Sequence, residues 1–178
     1  MKLNKDLLKY ELFYNIVIMG ICLSCGFYIG IGKPEIQTCF TPFEQCTDKI
    51  VGEVNNARKS IFLKAYYLTS GPIIDSLLKA KDRGVDVHFI LDKTQRKSKY
   101  LPEFRKHQIP TFIDDKVRIA HNKVMVIDGK EVITGSFNFT NAAQYYNAEN
   151  VVFIKDKKTA KEYFNNWNNE ILLIEGKK

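Results

Sequence analysis

HNKVMVIDGKEVITGSFNFTNAAQYYNAEN, running from His121 to Asn150, is the stretch that decides the reading of this 178-residue chain. Val117 to Ile127 and Val132 to Thr134 read as two strands, joined by a tight turn at Asp128-Gly129, a residue pair that such hairpins favour. Side chains alternate across a strand, so His121 and Lys123 are expected on one side of it. Ser136 and Asn138 stand two apart just past the second strand. Gly135 removes a side chain where backbone can come close to a ligand. The hairpin brings the strand ends together, which lets His121, Lys123, Ser136 and Asn138 share one pocket.

Downstream, Val151 to Ile154 reads as another strand. A closing helix runs from about Lys157 to Ile174, with Tyr163, Phe164, Trp167, Ile171 and Leu172 on one face that packs on the body. Upstream, strand and helix signals alternate. Ile36 to Phe40 is a short strand ended by Thr41-Pro42. Asp48 to Lys59 is a helix with Thr47 as its N-cap. Ser60 to Tyr67 is a strand. Pro72 to Arg83 is a helix with an apolar stripe of Ile73, Ile74, Leu77 and Leu78, ended by Gly84. Val85 to Leu91 is a strand, Leu101 to Gln108 a short helix and Ile109 to Ile113 a strand. Between them Lys93 to Lys99 reads as an exposed basic loop. This order implies an α/β fold, a mixed β-sheet flanked by helices. Residues 33–178 form one domain, with no internal repeat.

The composition, 45% hydrophobic and 26% charged, excludes a disordered chain. The net charge of +7 suits an anionic partner, either nucleic acid or an anionic lipid surface. The basic excess survives without residues 1–32, which hold Lys2, Lys5 and Lys9 against Asp6 and Glu11.

Leu12 to Gly32 carries no charge and as a helix would span about 30 Å, enough to cross a hydrocarbon core. Lys2, Lys5 and Lys9 precede it, as a cytoplasmic flank requires. Residues 1–32 are therefore an uncleaved signal anchor or a cleaved signal peptide. Either places the rest of the chain in the periplasm or at the cell exterior. Cys22 and Cys25 fall inside the apolar run and read as small apolar fillers. Cys39 and Cys46 follow it; in an oxidising compartment they can close a short loop by a disulfide, or stand as two free thiols.

The pocket residues suit phosphoryl chemistry. A neutral imidazole is a competent nucleophile toward phosphorus. A lysine and an amide can hold the non-bridging oxygens, where charge grows in the transition state. A carboxylate behind the imidazole would fix its tautomer, and Glu149 is the nearest downstream acid. No carboxylate cluster has metal-ligand spacing, so neither a two-metal mechanism nor any cofactor is indicated.

H-x-K-x4-D followed by G-S-x-N, here His121, Lys123, Asp128, Gly135, Ser136 and Asn138, resembles the HKD motif of the phospholipase D superfamily. Cys39-Phe40-Thr41-Pro42 and Ile61 through Tyr67 also look like the small bacterial Nuc-type endonucleases. The resemblance runs from about Ile36 to the C-terminus. It implies a phospholipase D-like sandwich and a two-step reaction with His121 as the nucleophile that becomes a phosphohistidine. A second HKD histidine then serves as acid and base. His88 and His107 lack the motif, so the resemblance implies a homodimer with two copies of His121 at its two-fold axis. Lys123 and Asn138 would bind phosphate oxygens, Glu149 would orient the histidine, and Ser136 would hydrogen-bond in the pocket. Asp128 and Gly135 would be structural.

Three substrates or partners are consistent with this. Nucleic acid, as single-stranded DNA or RNA, is favoured: Lys93, Arg96, Lys97 and Lys99 could track a phosphate backbone, with Tyr100 or Phe104 stacking on a base. Tyr66, Tyr67, Phe137, Phe139, Tyr145 and Tyr146 are further stacking candidates. A phospholipase D-type lipid hydrolase, acting for instance on cardiolipin, is the main rival, because an anchor would bring the site close to lipid head groups. A surface protein that binds DNA without cutting it is the third. A narrow basic groove would suit a single strand, and an apolar rim would suit lipid.

Overall fold

The computed structural model of the chain describes residues 33–177. In order the elements are β1 (Glu35–Phe40), α1 (Cys46–Asn56), β2 (Ser60–Ala65), α2 (Gly71–Asp82) and β3 (Asp86–Asp92). A 3-10 turn (Lys93–Lys97), α3 (Leu101–Lys106) and β4 (Thr111–Asp114) come next. Then follow β5 (Lys123–Ile127), β6 (Glu131–Gly135), α4 (Asn141–Tyr145), β7 (Asn150–Lys155) and α5 (Lys157–Ile174). The predicted anchor and the Cys22–Cys25 pair lie outside the described residues. Among the described residues no helix is long and apolar enough to cross a membrane.

The described strands form one seven-stranded mixed sheet in the order β1-β7-β6-β5-β2-β3-β4. β2, β3 and β4 run parallel, while β2–β5, β5–β6, β6–β7 and β7–β1 are antiparallel. Strand alternation sorts the core between two faces. Ile61 and Leu63 of β2, Val87, Phe89 and Leu91 of β3, and Met125 and Ile127 of β5 share one buried cluster. Ile50 and Val54 of α1 and Ile73, Ile74 and Leu77 of α2 complete it. Val124, Val126 and Val132 point the other way, toward Ala160, Tyr163 and Phe164 of α5. A buried polar link ties α5 to the sheet: Lys64 Nζ donates to Glu170 at 2.5 Å and to Asn166 at 2.6 Å.

Several boundaries differ from the sequence expectations, each for a physical reason. Thr47 lies inside α1 and does not cap it; its amide donates to Gln144 across the fold. The basic segment at Lys93 is not a free loop. Asp92 accepts from the Thr94 amide and winds a 3-10 turn that buries Gln95. The strand expected from Val117 begins only at Lys123. Val117 and Ile119 alternate like strand residues yet are exposed, so His121 sits in a loop immediately ahead of β5. Phe137 and Phe139 are core residues and cannot stack on a ligand.

Cys39 ends β1, Cys46 opens α1, and a disulfide joins them. The loop they close carries Thr41, which is bonded to the segment ahead of β7. Its amide donates to the Glu149 carbonyl at 3.0 Å, and its hydroxyl accepts from the Glu149 amide at 3.1 Å.

Candidate active site

The carboxyl ends of β2, β3 and β4, the start of β5, the end of β6 and the start of β7 meet at one edge of the sheet. His121, Lys123, Ser136, Asn138 and Glu149 all belong to this edge. The hairpin turn with Asp128 lies at the opposite edge. So does a cavity of about 460 Å³ lined by Glu53, Asn56, Glu131 and Lys155, which is remote from the motif histidine.

His121 is exposed, while Lys123 is only 7% exposed. The loop holding His121 is pinned just upstream, where the buried Asp92 carboxylate accepts from the Ala120 amide at 2.7 Å. Burial pushes that carboxyl up, but the amides of Thr94 and Ala120 outweigh it and hold Asp92 below the usual carboxylate range. Lys123 Nζ donates to the His121 carbonyl at 3.3 Å. Burial holds the Lys123 ammonium below the usual lysine range, with the Glu149 charge pulling the other way.

Ser136 and Glu149 are bound to each other: the Ser136 hydroxyl donates to the Glu149 carboxylate at 2.5 Å. Asn147 Nδ2 donates to the other Glu149 oxygen at 2.8 Å, and the Asn150 amide donates to Ser136 Oγ at 3.1 Å. Gly135 makes this possible. Its φ is +145°, and a Cβ there would meet the Asn150 carbonyl oxygen at 2.2 Å. Asn138 lies on the strip after β6, bordered by Phe139, whose amide donates to the Tyr67 carbonyl at 3.1 Å. The Asn138 side-chain oxygen is buried and has no hydrogen-bond partner among the described residues.

Glu149 does not touch His121 within the chain. Among the described residues the histidine–carboxylate pairs are those of His88 with Asp86 and of His107 with Asp82 and Glu103. Asp128 is a structural splice. Its carboxylate accepts from the amides of Arg58, Lys59 and Ser60 at 2.7–3.1 Å, which ties the hairpin to the start of β2. Burial pushes its carboxyl up, and those amides with Lys130 more than reverse the effect.

The basic segment is only partly free. Arg96 is paired with Asp115, and Lys93 donates to the Val117 carbonyl at 3.1 Å. Tyr100 is half-buried, stacked on Phe104, with its hydroxyl on the Thr69 carbonyl at 3.4 Å. Lys97 and Lys99 are exposed, as are Lys116 and Arg118 just ahead of His121. On the other flank, Phe40, Phe43, Tyr145 and Tyr146 are exposed by 51%, 91%, 62% and 85%, so the site has both a basic bank and an aromatic one.

Sequence reasoning missed Asp92, the hydrogen bonds of Thr41 to Glu149 and the placement of Tyr66. Asp92 and Thr41 act through backbone amides, and such partners cannot be read from the sequence. Tyr66 appeared only as one aromatic among several.

A mixed sheet with a histidine, a lysine, a serine–glutamate pair and an asparagine at one edge defines a phosphodiesterase-type hydrolase, and comparison with known proteins agrees. Residues 50–171 match the family described as "Cardiolipin synthase, PLD-like domain", and the chain belongs to this phospholipase D-like family. It is 43% identical over 141 residues to a "Phospholipase D" of Rickettsia conorii, covering 78% of this chain and 70% of that one. A "Mitochondrial cardiolipin hydrolase" of Chlamydomonas reinhardtii is 30% identical over 131 residues, covering 72% of this chain and 58% of that one. Among solved structures, the phospholipase D family member Nuc of Salmonella typhimurium superposes with a TM-score of 0.72 at 31% identity, covering 78% of this chain and 94% of that one. NucT of Helicobacter pylori, at 20% identity, shares the fold with a TM-score of 0.73, covering 78% of this chain and 96% of that one.

Proposed function

We propose that the chain is a phosphodiesterase that hydrolyses nucleic acid, with single strands preferred, through a phosphohistidine at His121. The gathering of His121, Lys123, Ser136 and Asn138 at one sheet edge, beside a basic bank and an aromatic one, carries this reading. An imidazole nitrogen of His121 forms a bond to phosphorus as the bond to the leaving oxygen breaks. A second His121 gives that oxygen its proton, then takes one from the water that displaces the enzyme nitrogen. Lys123 and the Asn138 amide hold the non-bridging oxygens. One chain supplies one such histidine, and its Glu149 is engaged by Ser136 and Asn147. A homodimer with its two-fold axis between the two sites completes the machinery. Lys97, Lys99, Lys116 and Arg118 are suited to a phosphate backbone, and Tyr145 and Tyr146 to unpaired bases. Residues 1–32 hold this domain at a membrane, facing the periplasm or the exterior.

Phospholipid is a second reading, favoured by the exposed Phe40 and Phe43 and by the names of the relatives. The full chain in mild detergent, with excess EDTA, is incubated with labelled single- and double-stranded DNA, RNA, and cardiolipin vesicles, beside His121→Ala. Loss of single strands with wild type alone supports the nuclease. Intact nucleic acids with hydrolysed lipid would replace it by the lipid hydrolase. DNA bound but uncut by both proteins would leave a binding protein.

A further inference from the structure

Tyr66 follows β2 directly and stands between the two groups of the H-x-K pair. Its ring centroid lies 4.7 Å from that of His121, with the planes at 65°. Lys123 Nζ lies 5.3 Å from the same ring centroid. The Tyr66 amide donates to the carbonyl of Asn122, the residue between them, at 2.8 Å. One residue therefore braces the motif through both backbone and side chain. Tyr66 is itself fixed: Ala65 is in register with Lys123, and the Tyr67 ring packs on it at 4.4 Å. The neighbouring Tyr67 hydroxyl, then burial and the charge of Asp92, push the Tyr66 hydroxyl above the ordinary tyrosine range.

The site sets two problems that a ring in this position solves. Lys123 is buried, which works against its charge, and charge is what binds a phosphate. The face of an aromatic ring attracts an ammonium and opposes that loss. His121 is exposed and, among the described residues, no side chain or backbone group hydrogen-bonds to its ring, so its aim depends on what it leans against.

We propose that Tyr66 is a positioning residue of the phosphodiesterase reaction, its ring setting the direction of the His121 imidazole and holding Lys123 as the ammonium. This rests on His121 as nucleophile and Lys123 as phosphate ligand. The titratable groups around the pair are Tyr67 beside the ring, Asp92 at the end of β3 and Glu149 ahead of β7.

The test uses the full chain and an activated diester, bis(p-nitrophenyl) phosphate, which needs neither a base nor a lipid. Tyr66→Leu removes the ring and is expected to lower kcat about tenfold or more with little change in KM. Tyr66→Phe keeps the ring and is expected to recover most of that loss. In parallel the titration of Lys123 is followed by NMR of carbon-labelled lysine, assigned with Lys123→Arg. Loss of a cation–ring attraction moves it to lower pH by about half a unit. Pentafluorophenylalanine at position 66 keeps the shape and reverses the ring's charge distribution, so it gives the same shift even if Tyr66→Leu fails to fold. An unmoved Lys123 titration in the fluorinated protein overturns the proposal, as does Tyr66→Phe with no more activity than Tyr66→Leu. Undiminished turnover by His121→Ala would instead defeat the underlying assignment of the nucleophile.

Discussion

Reducing the Cys39–Cys46 bond should loosen both the fold and the site. The two cysteines are 7 residues apart, so the loop they close is short. Loop-closure entropy for that length is about 8 cal/mol/K, worth about 2.4 kcal/mol at 25 °C. For a chain of this size such a loss lowers the thermal midpoint by about 5–10 °C. The site is affected as well, because the freed loop carries Thr41, which exchanges two backbone-linked hydrogen bonds with Glu149. Urea unfolding with and without dithiothreitol, and of Cys39→Ser/Cys46→Ser, measures the first effect; turnover under the same conditions measures the second. Equal unfolding midpoints for oxidised and reduced protein would refute the reasoning, because they would mean that the loop is held without the bond.

Gly135→Ala places a Cβ against the Asn150 carbonyl at a backbone angle that L residues avoid; it should cost about 2–4 kcal/mol and abolish turnover, read by thermal unfolding and diester hydrolysis. Burial, then Glu53, pushes the Glu131 carboxyl up to about 7 from its ordinary 4.5. Between those values the native chain keeps a proton that the unfolded chain has lost, so stability should fall as pH rises through this window, by at most about 3 kcal/mol. Glu131→Gln should flatten that slope in urea titrations from pH 4.5 to 8. Lys64→Met leaves the Glu170 carboxylate without its cation and should cost about 3 kcal/mol or more, whereas Lys64→Met/Glu170→Leu should recover most of it, a comparison that unfolding midpoints decide.

The sheet, α5 and the motif positions were legible because each rests on a short-range pattern. Val124, Val126 and Val132 alternate, Asp128-Gly129 turns, and Trp167 marks a buried helical face. The His121 loop was not legible, since Val117 and Ile119 alternate as a strand does, yet they are exposed and pair with none of the described strands. α4 was missed because five residues give too little periodicity, although Thr140 caps it by accepting from the Ala143 amide. The true state of Lys93 to Lys99 depended on Asp92 and Asp115, whose partners are set by tertiary structure.

The place of β1 in the sheet has a consequence for how the chain is made. Among the described strands β1 pairs with β7 alone, with Glu35 opposite Lys155, about 120 residues later. The first of the described strands to be synthesised must therefore wait for the last of them, and closure of so long a loop is slow. Until β7 is made, both β1 and the unfilled edge of β6 offer open backbone to other chains. A factor that shields these open edges until β7 arrives should therefore raise the yield of folded chain.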